Sequence, residues 1–180
     1  MDNLAKIKKV SKLFNILLTV LILIMPIYFI SYWLFINYFS QNLVAGSSVS
    51  FEGAGGTLTV GLQVIGFLSS LFPLGAIIYG LVNTKKIFSL YIDGVIFSDK
   101  HVILFKKIAK AFAFWVLFSV IHESVKSVIF SWNNTVGSRH LDITFGSIEF
   151  GVIIMSVLFL VIAWIMDEGR TITEENKLTV

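Results

Sequence analysis

Apolar residues run along this chain in long stretches that charged residues separate. Three stretches contain no Asp, Glu, Lys, Arg or His: Leu13 to Phe51, Gly53 to Thr84, and the residues between Glu149 and Asp167. A helix that crosses a membrane needs about 20 mostly apolar residues, and lipid offers no hydrogen-bond partner to an irregular backbone. The pattern therefore predicts membrane-spanning helices over residues 13–39, 59–82 and 143–166.

A fourth stretch, residues 108–130, has the length of a span but contains three ionisable side chains. His122, Glu123 and Lys126 lie within it, and a charge at the membrane centre costs about 2.5–3.5 kcal/mol on insertion scales. The apolar run from Ala111 to Ile121 offsets part of that cost. A crossing here also keeps the lysine-rich segments on one side of the membrane, so we predict four spans.

The basic residues are distributed unevenly among the segments outside the spans. Twelve Lys and Arg residues precede span one, join spans two and three, or follow span four, whereas the other two loops contain only Arg139. Loops rich in Lys and Arg remain in the cytoplasm. The sequence therefore predicts a multi-pass protein with both termini in the cytoplasm. Its first apolar run is too long for a cleavable signal peptide, and we interpret it as an uncleaved anchor.

The segment between spans two and three, residues 83–107, is predicted to be an ordered helical turn in the cytoplasm. The helical pattern continues beyond span two until Asp93 and Gly94, since glycine readily adopts the left-handed conformation that ends a helix. Ser98 is then a favourable N-cap, preceded by Phe97, which suits a hydrophobic staple. Spans two and three should therefore extend into the cytoplasm as helices.

The predicted fold is all-α, a single domain of residues 1–180 forming a four-helix transmembrane bundle with a cytoplasmic tail at 167–180. The outer loops contain two short segments in which polar and apolar residues alternate, 57–60 and 140–145. Such alternation is typical of strands. A small β contact between the outer loops is therefore a further hypothesis.

Span two contains two pairs of small residues at a spacing of four. These pairs are Gly66 with Ser70 and Ala76 with Gly80. Small residues at this spacing allow two membrane helices to approach closely. We expect the neighbour to be another span of the same chain, and a homo-oligomer is the alternative.

Composition supports a membrane location and excludes several kinds of site. The 180 residues are 56% hydrophobic and only 14% charged, and the mean hydropathy is +0.86. The chain contains no cysteine, which excludes disulfides, thiol nucleophiles and thiolate metal sites. No phosphate-binding glycine loop, nucleophile elbow or metal-ligand spacing is present. We therefore predict no catalytic, metal-binding or cofactor-binding residue, and a protein that is not an enzyme.

One polar cluster in span three is a candidate site. His122, Glu123 and Lys126 follow the spacing of a zinc motif, but Lys126 occupies the position of its second histidine, so they do not form that site. Glu123 and Lys126 are three residues apart and can form an ion pair on one helix. Glu149 could pair with Lys126 or with Arg139. Alternatively, the cluster faces the interior of the bundle as a site for an ion or ligand.

Two segments resemble a known family. They read YIDGVIFS from Tyr91 to Ser98, followed by KKIA from Lys106, and EENKLTV over residues 174–180. With four spans in this length, they are similar to the bacterial membrane proteins of the Domain of Unknown Function 2975 family (YoaS-like). The resemblance implies a four-helix protein of the bacterial cytoplasmic membrane without assigned catalytic residues. It also implies a gene that often lies beside one for a helix-turn-helix regulator.

Two function hypotheses follow. The leading one is a non-enzymatic membrane protein that binds a cytoplasmic partner, such as a helix-turn-helix regulator, through the turn and the tail. The candidate binding residues are Asp93, Gly94, Phe97, Ser98, Lys106, Lys107, Glu174, Glu175, Asn176 and Leu178. The lysines also face the anionic lipid of the inner leaflet, and no direct contact with nucleic acid is expected. The alternative is a small oligomeric transporter or channel that uses the polar cluster.

Overall fold

Four long helices make up the computed structural model, which describes residues 2–39, 57–96, 98–134 and 137–178. The helices are α1 (Asp2–Leu34), α2 (Val60–Ile92), α3 (Asp99–Ser131) and α4 (Ser147–Leu178), and a 3₁₀ turn follows α1 at Ile36–Tyr38. The described ranges contain no strand. The predicted all-α fold is therefore confirmed, and the β contact between the outer loops is not supported.

Three of the four helices are long and apolar enough to cross a membrane. They are α1, α2 and α4, within Asn3–Leu34, Val60–Ile92 and Ser147–Ile172. α3 is not among them. The crossing predicted at 108–130 therefore has no support from the composition of α3 itself.

The helices pack in chain order. Extensive contacts join α1 to α2, α2 to α3 and α3 to α4. Within the described residues α1 and α4 share no interface of this extent, so the helices form a row in chain order. Near one end of the row, Trp33 of α1 also reaches the ring of His122 on α3, with 6.2 Å between ring centroids.

α2 and α3 run antiparallel in one register along their whole length. The rings of Tyr91 and His101 stack at one end, and Ser69 bonds to His122 near the other. Between them, a Cβ on Gly80 would lie 3.3 Å from the Cβ of Ala111. The small residues of α2 thus contact another helix of the same chain, as we expected.

Burial divides the row into an enclosed centre and two exposed flanks. α3 buries residues on most of its length, from His101 to Ser131. Only 6% of the apolar windows of α1 and α4 is buried, and Leu13 and Ile165 are 65% and 64% exposed. The helix with the most polar residues in its middle, α3, is thus the most enclosed one. Its neighbours α2 and α4 shield those polar groups.

Candidate functional site

The turn between α2 and α3 is closed by hydrogen bonds and fixed by one glycine. Gly94 has φ +82°, a conformation that glycine adopts without a steric penalty. The Val95 N–H donates to the Leu90 carbonyl over 2.9 Å, which is the six-to-one bond of a glycine-terminated helix. The helix end predicted at Asp93 and Gly94 is therefore confirmed.

Replacing Gly94 by alanine should lower the stability of the protein by about 1–2 kcal/mol, the usual cost of a left-handed conformation for an L residue. The new Cβ would also come within 3.2 Å of the Lys8 side chain. Thermal unfolding in detergent, followed by tryptophan fluorescence, measures the effect. Gly75→Ala is the matched control, because nothing lies within 4 Å of a Cβ there. Equal melting of both variants would show that Gly94 does not fix the turn.

The start of α3 is held by a buried histidine. Ser98 is the N-cap residue, but its side chain makes no capping bond to the backbone. Its Oγ instead lies 2.9 Å from Nδ1 of His101. His101 is fully buried and stacks on Tyr91. Burial lowers the pKa of the His101 imidazole below its ordinary value, which favours the neutral ring.

Helices α1 and α4 both contact residues at or next to the turn. The Arg170 guanidinium of α4 forms an ion pair with Asp99, the first residue of α3. On the other side, Asn15 of α1 donates to Ser89 Oγ over 2.9 Å, and Lys8 lies beside Gly94. We call this end of the row, from Lys8 through the turn at residues 93–98 to Arg170, the lysine-rich end.

The remaining candidate partner-binding residues differ in what the structure says of them. Asp93 is exposed, and Lys106 and Lys107 are half-buried. Phe97 lies outside the described residues. Glu174, Glu175, Asn176 and Leu178 belong to the last turns of α4, and their side chains lie outside the described part. The structure thus shows that the tail begins as a continuation of α4, and binding by these residues stays a prediction.

The polar cluster lies at the opposite end of the row, which we call the distal end. Nδ1 of His122 lies 2.9 Å from Oγ of Ser69 on α2, and its ring meets the edge of Trp33. Gly66 leaves room for that indole, because a Cβ at Gly66 would overlap the Trp33 ring. His122 is therefore a packed residue at the junction of three helices.

The two charges beside His122 pair with each other. Nζ of Lys126 donates to both carboxylate oxygens of Glu123, at 2.9 and 3.0 Å. The side chains are 9% and 29% exposed. This is the intrahelical pair that the spacing suggested. Glu149 accepts a bond of 2.9 Å from the Gly146 N–H, so its described contact caps the start of α4 instead of pairing with Lys126 or Arg139.

These contacts bear on the transport hypothesis. A transport site would require polar groups of the cluster to line a cavity, but the ion pair and the bond to Ser69 engage them with each other. Among the described residues, no group of three His, Asp or Glu side chains could hold a metal ion. The cluster therefore gives the transport hypothesis no geometric support.

A loop lies along the distal end of α3 and bonds to its serines. The Asp142 N–H donates to Oγ of Ser127 over 2.9 Å, and the His140 N–H lies 3.3 Å from Oγ of Ser131. Ser131 in turn donates to the His140 carbonyl at 3.1 Å. The alternating segment 140–145 thus bonds to a helix through two residues, His140 and Asp142. These bonds to α3 take the place of the strand pairing that its pattern suggested.

Replacing Ser127 by alanine should loosen this loop. The change leaves the Asp142 N–H without its acceptor, at a cost of about 1–3 kcal/mol. We expect amide hydrogen exchange over residues 138–146 to accelerate while exchange in α2 is unchanged. Ser124→Ala is the control, because within the described ranges that hydroxyl bonds to its own helix, at the Val120 carbonyl. Equal exchange in both variants would contradict the docking role of Ser127.

Several of these contact residues were not candidates from the sequence. Ser127 and Ser131 carry a readable signal, because with Ser124 they recur every three to four residues and so form a polar stripe on one face of α3. Asn15 has a weaker signal as a lone amide in an apolar run. Ser69 and His101 have none, since their roles depend on the register of α2 against α3.

The comparisons with known proteins agree with the resemblance noted in the sequence. Residues 5–180 match the family described as protein of unknown function (DUF2975). No curated protein and no solved structure matches the chain. The match includes the turn, the polar cluster and the tail. Since it covers essentially the whole chain, this protein belongs to the DUF2975 family.

Proposed function

We propose that this chain is a non-enzymatic integral membrane protein of the bacterial cytoplasmic membrane, with four crossings. Its lysine-rich end docks a cytoplasmic partner, a transcription regulator of the helix-turn-helix class. The observation that carries the proposal is the turn at residues 93–98, which is braced by α1 and α4 and still exposes Asp93 and Val95. A braced turn with exposed residues suits recognition better than a free loop, because binding costs less ordering entropy.

The crossing of α3 is supported by its neighbours. α3 lies against α2 from Tyr91–His101 to Ser69–His122, and against α4 through the bond from Ser156 to the Ala109 carbonyl. Both neighbours are apolar enough to cross a membrane. A helix enclosed by spanning helices lies at the same depth, and its polar groups then face protein instead of lipid.

The orientation is supported by the charges. Of the fourteen Lys and Arg residues, twelve lie in segments at or near the lysine-rich end, and Arg139 lies in the distal loop. A bias of this size directs the lysine-rich end to the cytoplasm. Arg139 instead lies over the ring of Trp132 at 5.2 Å, where an aromatic and a cation both suit a membrane surface.

The docking surface is a recess and not a protruding turn. α1 starts at Asp2, six residues before Lys8, and α4 continues to Leu178, eight residues beyond Arg170. At 1.5 Å per residue these ends extend about 9 and 12 Å past their contacts with the turn. The turn is then the floor of the recess, with Val95 38% exposed.

The wall that α1 contributes determines the charge of the partner. Lys6 and Lys8 lie on this wall, and Lys9 and Lys12 follow within the next turn of α1. An acidic partner surface is therefore favoured and steered towards the recess. The regulator class rests on the family resemblance, which implies a helix-turn-helix gene beside the gene for such a protein.

The test is retention of that regulator by the purified full chain in lipid nanodiscs. We expect the wild type to retain the regulator encoded beside its gene, and Val95→Glu to lose it, because an added carboxylate on the floor repels an acidic surface and opposes an apolar contact. Leu141→Glu is the matched control, an exposed apolar residue at the distal end, and it should retain the regulator. A genome without such a neighbouring gene, no retention by the wild type, or equal retention by both variants would overturn the proposal.

A further inference from the structure

A groove of about 400 Å³ lies between α2 and α3 near the lysine-rich end. Three lysines line it: Lys86 from α2, and Lys100 and Lys107 from α3. None of the three forms an ion pair within the described residues. The nearest carboxylate along the chain, Asp99, is engaged by Arg170. The groove therefore presents three cations without a counterion.

Contacts with α1 indicate the level at which this groove lies in the proposed membrane. Phe14 stacks on Phe88 with 5.0 Å between ring centroids, and Asn15 donates to the Lys85 carbonyl and to Ser89. Lys86 is therefore level with the first turn of the apolar run of α1, in which Ile16 and Leu17 are 64% and 48% exposed. The lysines of the groove thus lie at the boundary between lipid tails and headgroups.

The groove also opens onto an apolar face. Ile103 lines it and is 52% exposed. Phe114, Leu117 and Ile121 follow Ile103 by about three, four and five helical turns, which places them on the same face of α3. All three are more than 50% exposed. The exposed Lys110 lies on this face between Ile103 and Phe114. The apolar stripe of Phe114, Leu117 and Ile121 therefore begins about one turn beyond the lysines and continues along the proposed membrane-spanning part of α3.

From these observations we propose that the groove binds one anionic phospholipid, with the phosphate between Lys86, Lys100 and Lys107 and an acyl chain along the stripe. Three unpaired ammonium groups at headgroup depth need an anion, and the stripe offers apolar surface to the attached chain. Neither a free anion nor an acidic protein would cover that surface. The inference rests on the membrane location in the proposed function but is independent of the regulator.

The experiment is native mass spectrometry of the detergent-solubilised full chain, titrated with phosphatidylglycerol, phosphatidylcholine or inorganic phosphate. We expect the first phosphatidylglycerol to bind most tightly. Lys86→Gln/Lys107→Gln should weaken it about 25-fold, since each lysine at a lipid surface contributes about fivefold. Lys9→Gln/Lys12→Gln removes the same charge from exposed positions outside the groove and should weaken it less than threefold. Lys86→Arg/Lys107→Arg keeps the charge and should bind as the wild type does.

Three results would overturn the lipid site. Equal weakening in the two glutamine variants would mean diffuse attraction, and equal binding of phosphatidylglycerol and phosphatidylcholine would mean that the charge is not recognised. Competition by millimolar inorganic phosphate without any contribution from the acyl chain would mean a site for a free anion. Since regulator retention is measured separately with Val95→Glu, failure of the lipid site and failure of the docking proposal are distinguishable.

Discussion

Replacing Glu123 by glutamine is expected to destabilise the protein by about 2–4 kcal/mol. The change leaves the Lys126 ammonium, whose side chain is 9% exposed, without the carboxylate at 2.9 Å. Removing one partner of a fully buried pair costs about 3–5 kcal/mol. Our value is lower because Glu123 is 29% exposed and solvent already screens part of the attraction. Thermal and chemical unfolding in one detergent measure the difference.

A double-mutant cycle distinguishes the ion pair from simple loss of packing. Glu123→Gln/Lys126→Met removes both charges, and replacing a whole buried pair is often close to neutral. We therefore expect the double variant to recover most of the stability that Glu123→Gln loses. Glu168→Gln, an exposed carboxylate on α4, is the control and should change little. The cycle is completed by the single variant Lys126→Met. If the double variant loses as much stability as Glu123→Gln and Lys126→Met together, the two side chains are not coupled.

Replacing Gly66 by alanine is expected to cost about 1–3 kcal/mol, the usual penalty for an overpacked core. The new Cβ would overlap the indole of Trp33, and one of its ring atoms, Cζ2, would be only 2.6 Å away. Trp33 is 2% exposed and packs with Ile36, Leu58 and Ile129, so the ring has no free space to enter. The change should therefore separate α1 from α2 and lower the melting temperature.

Two further variants test the cause of this loss. Gly75→Ala lies in the same helix with nothing within 4 Å of its Cβ, and it should leave the melting temperature unchanged or raise it. Gly66→Ala/Trp33→Leu makes room for the new methyl group, so it should be more stable than expected from the two single changes. If Gly66→Ala and Gly75→Ala melt alike, the fit of Trp33 against Gly66 is not a determinant of stability.

Much of the fold could be predicted from local sequence. The charge-free runs predicted three helices that are apolar enough to cross a membrane, and Asp93 with Gly94 predicted the helix end. Both are local signals, since hydrophobicity and a left-handed glycine depend little on the rest of the chain. The prediction of the Glu123–Lys126 pair succeeded for the same reason, because a spacing of three places both side chains on one helix face.

The parts that could not be predicted depend on contacts between helices. The register of α2 on α3 determines that Ser69 meets His122, and no local pattern encodes that register. The alternation of polar and apolar residues at 140–145 suggested a strand, but the backbone of this loop forms hydrogen bonds with Ser127 and Ser131 of α3. The order in which the helices pack could not be predicted either, because the charge-free runs indicate how many helices there are and not which of them contact each other.

The central claim is that α3 crosses the membrane with its neighbours, and the absence of cysteine makes this directly measurable. Single cysteines at Val95, Ser138 and Thr171, all exposed positions, can be labelled with a membrane-impermeant maleimide. In intact cells we expect label on Ser138→Cys alone. In inverted membrane vesicles we expect it on Val95→Cys and Thr171→Cys. Labelling of Val95→Cys and Ser138→Cys from the same side would show that α3 does not cross and would contradict the account.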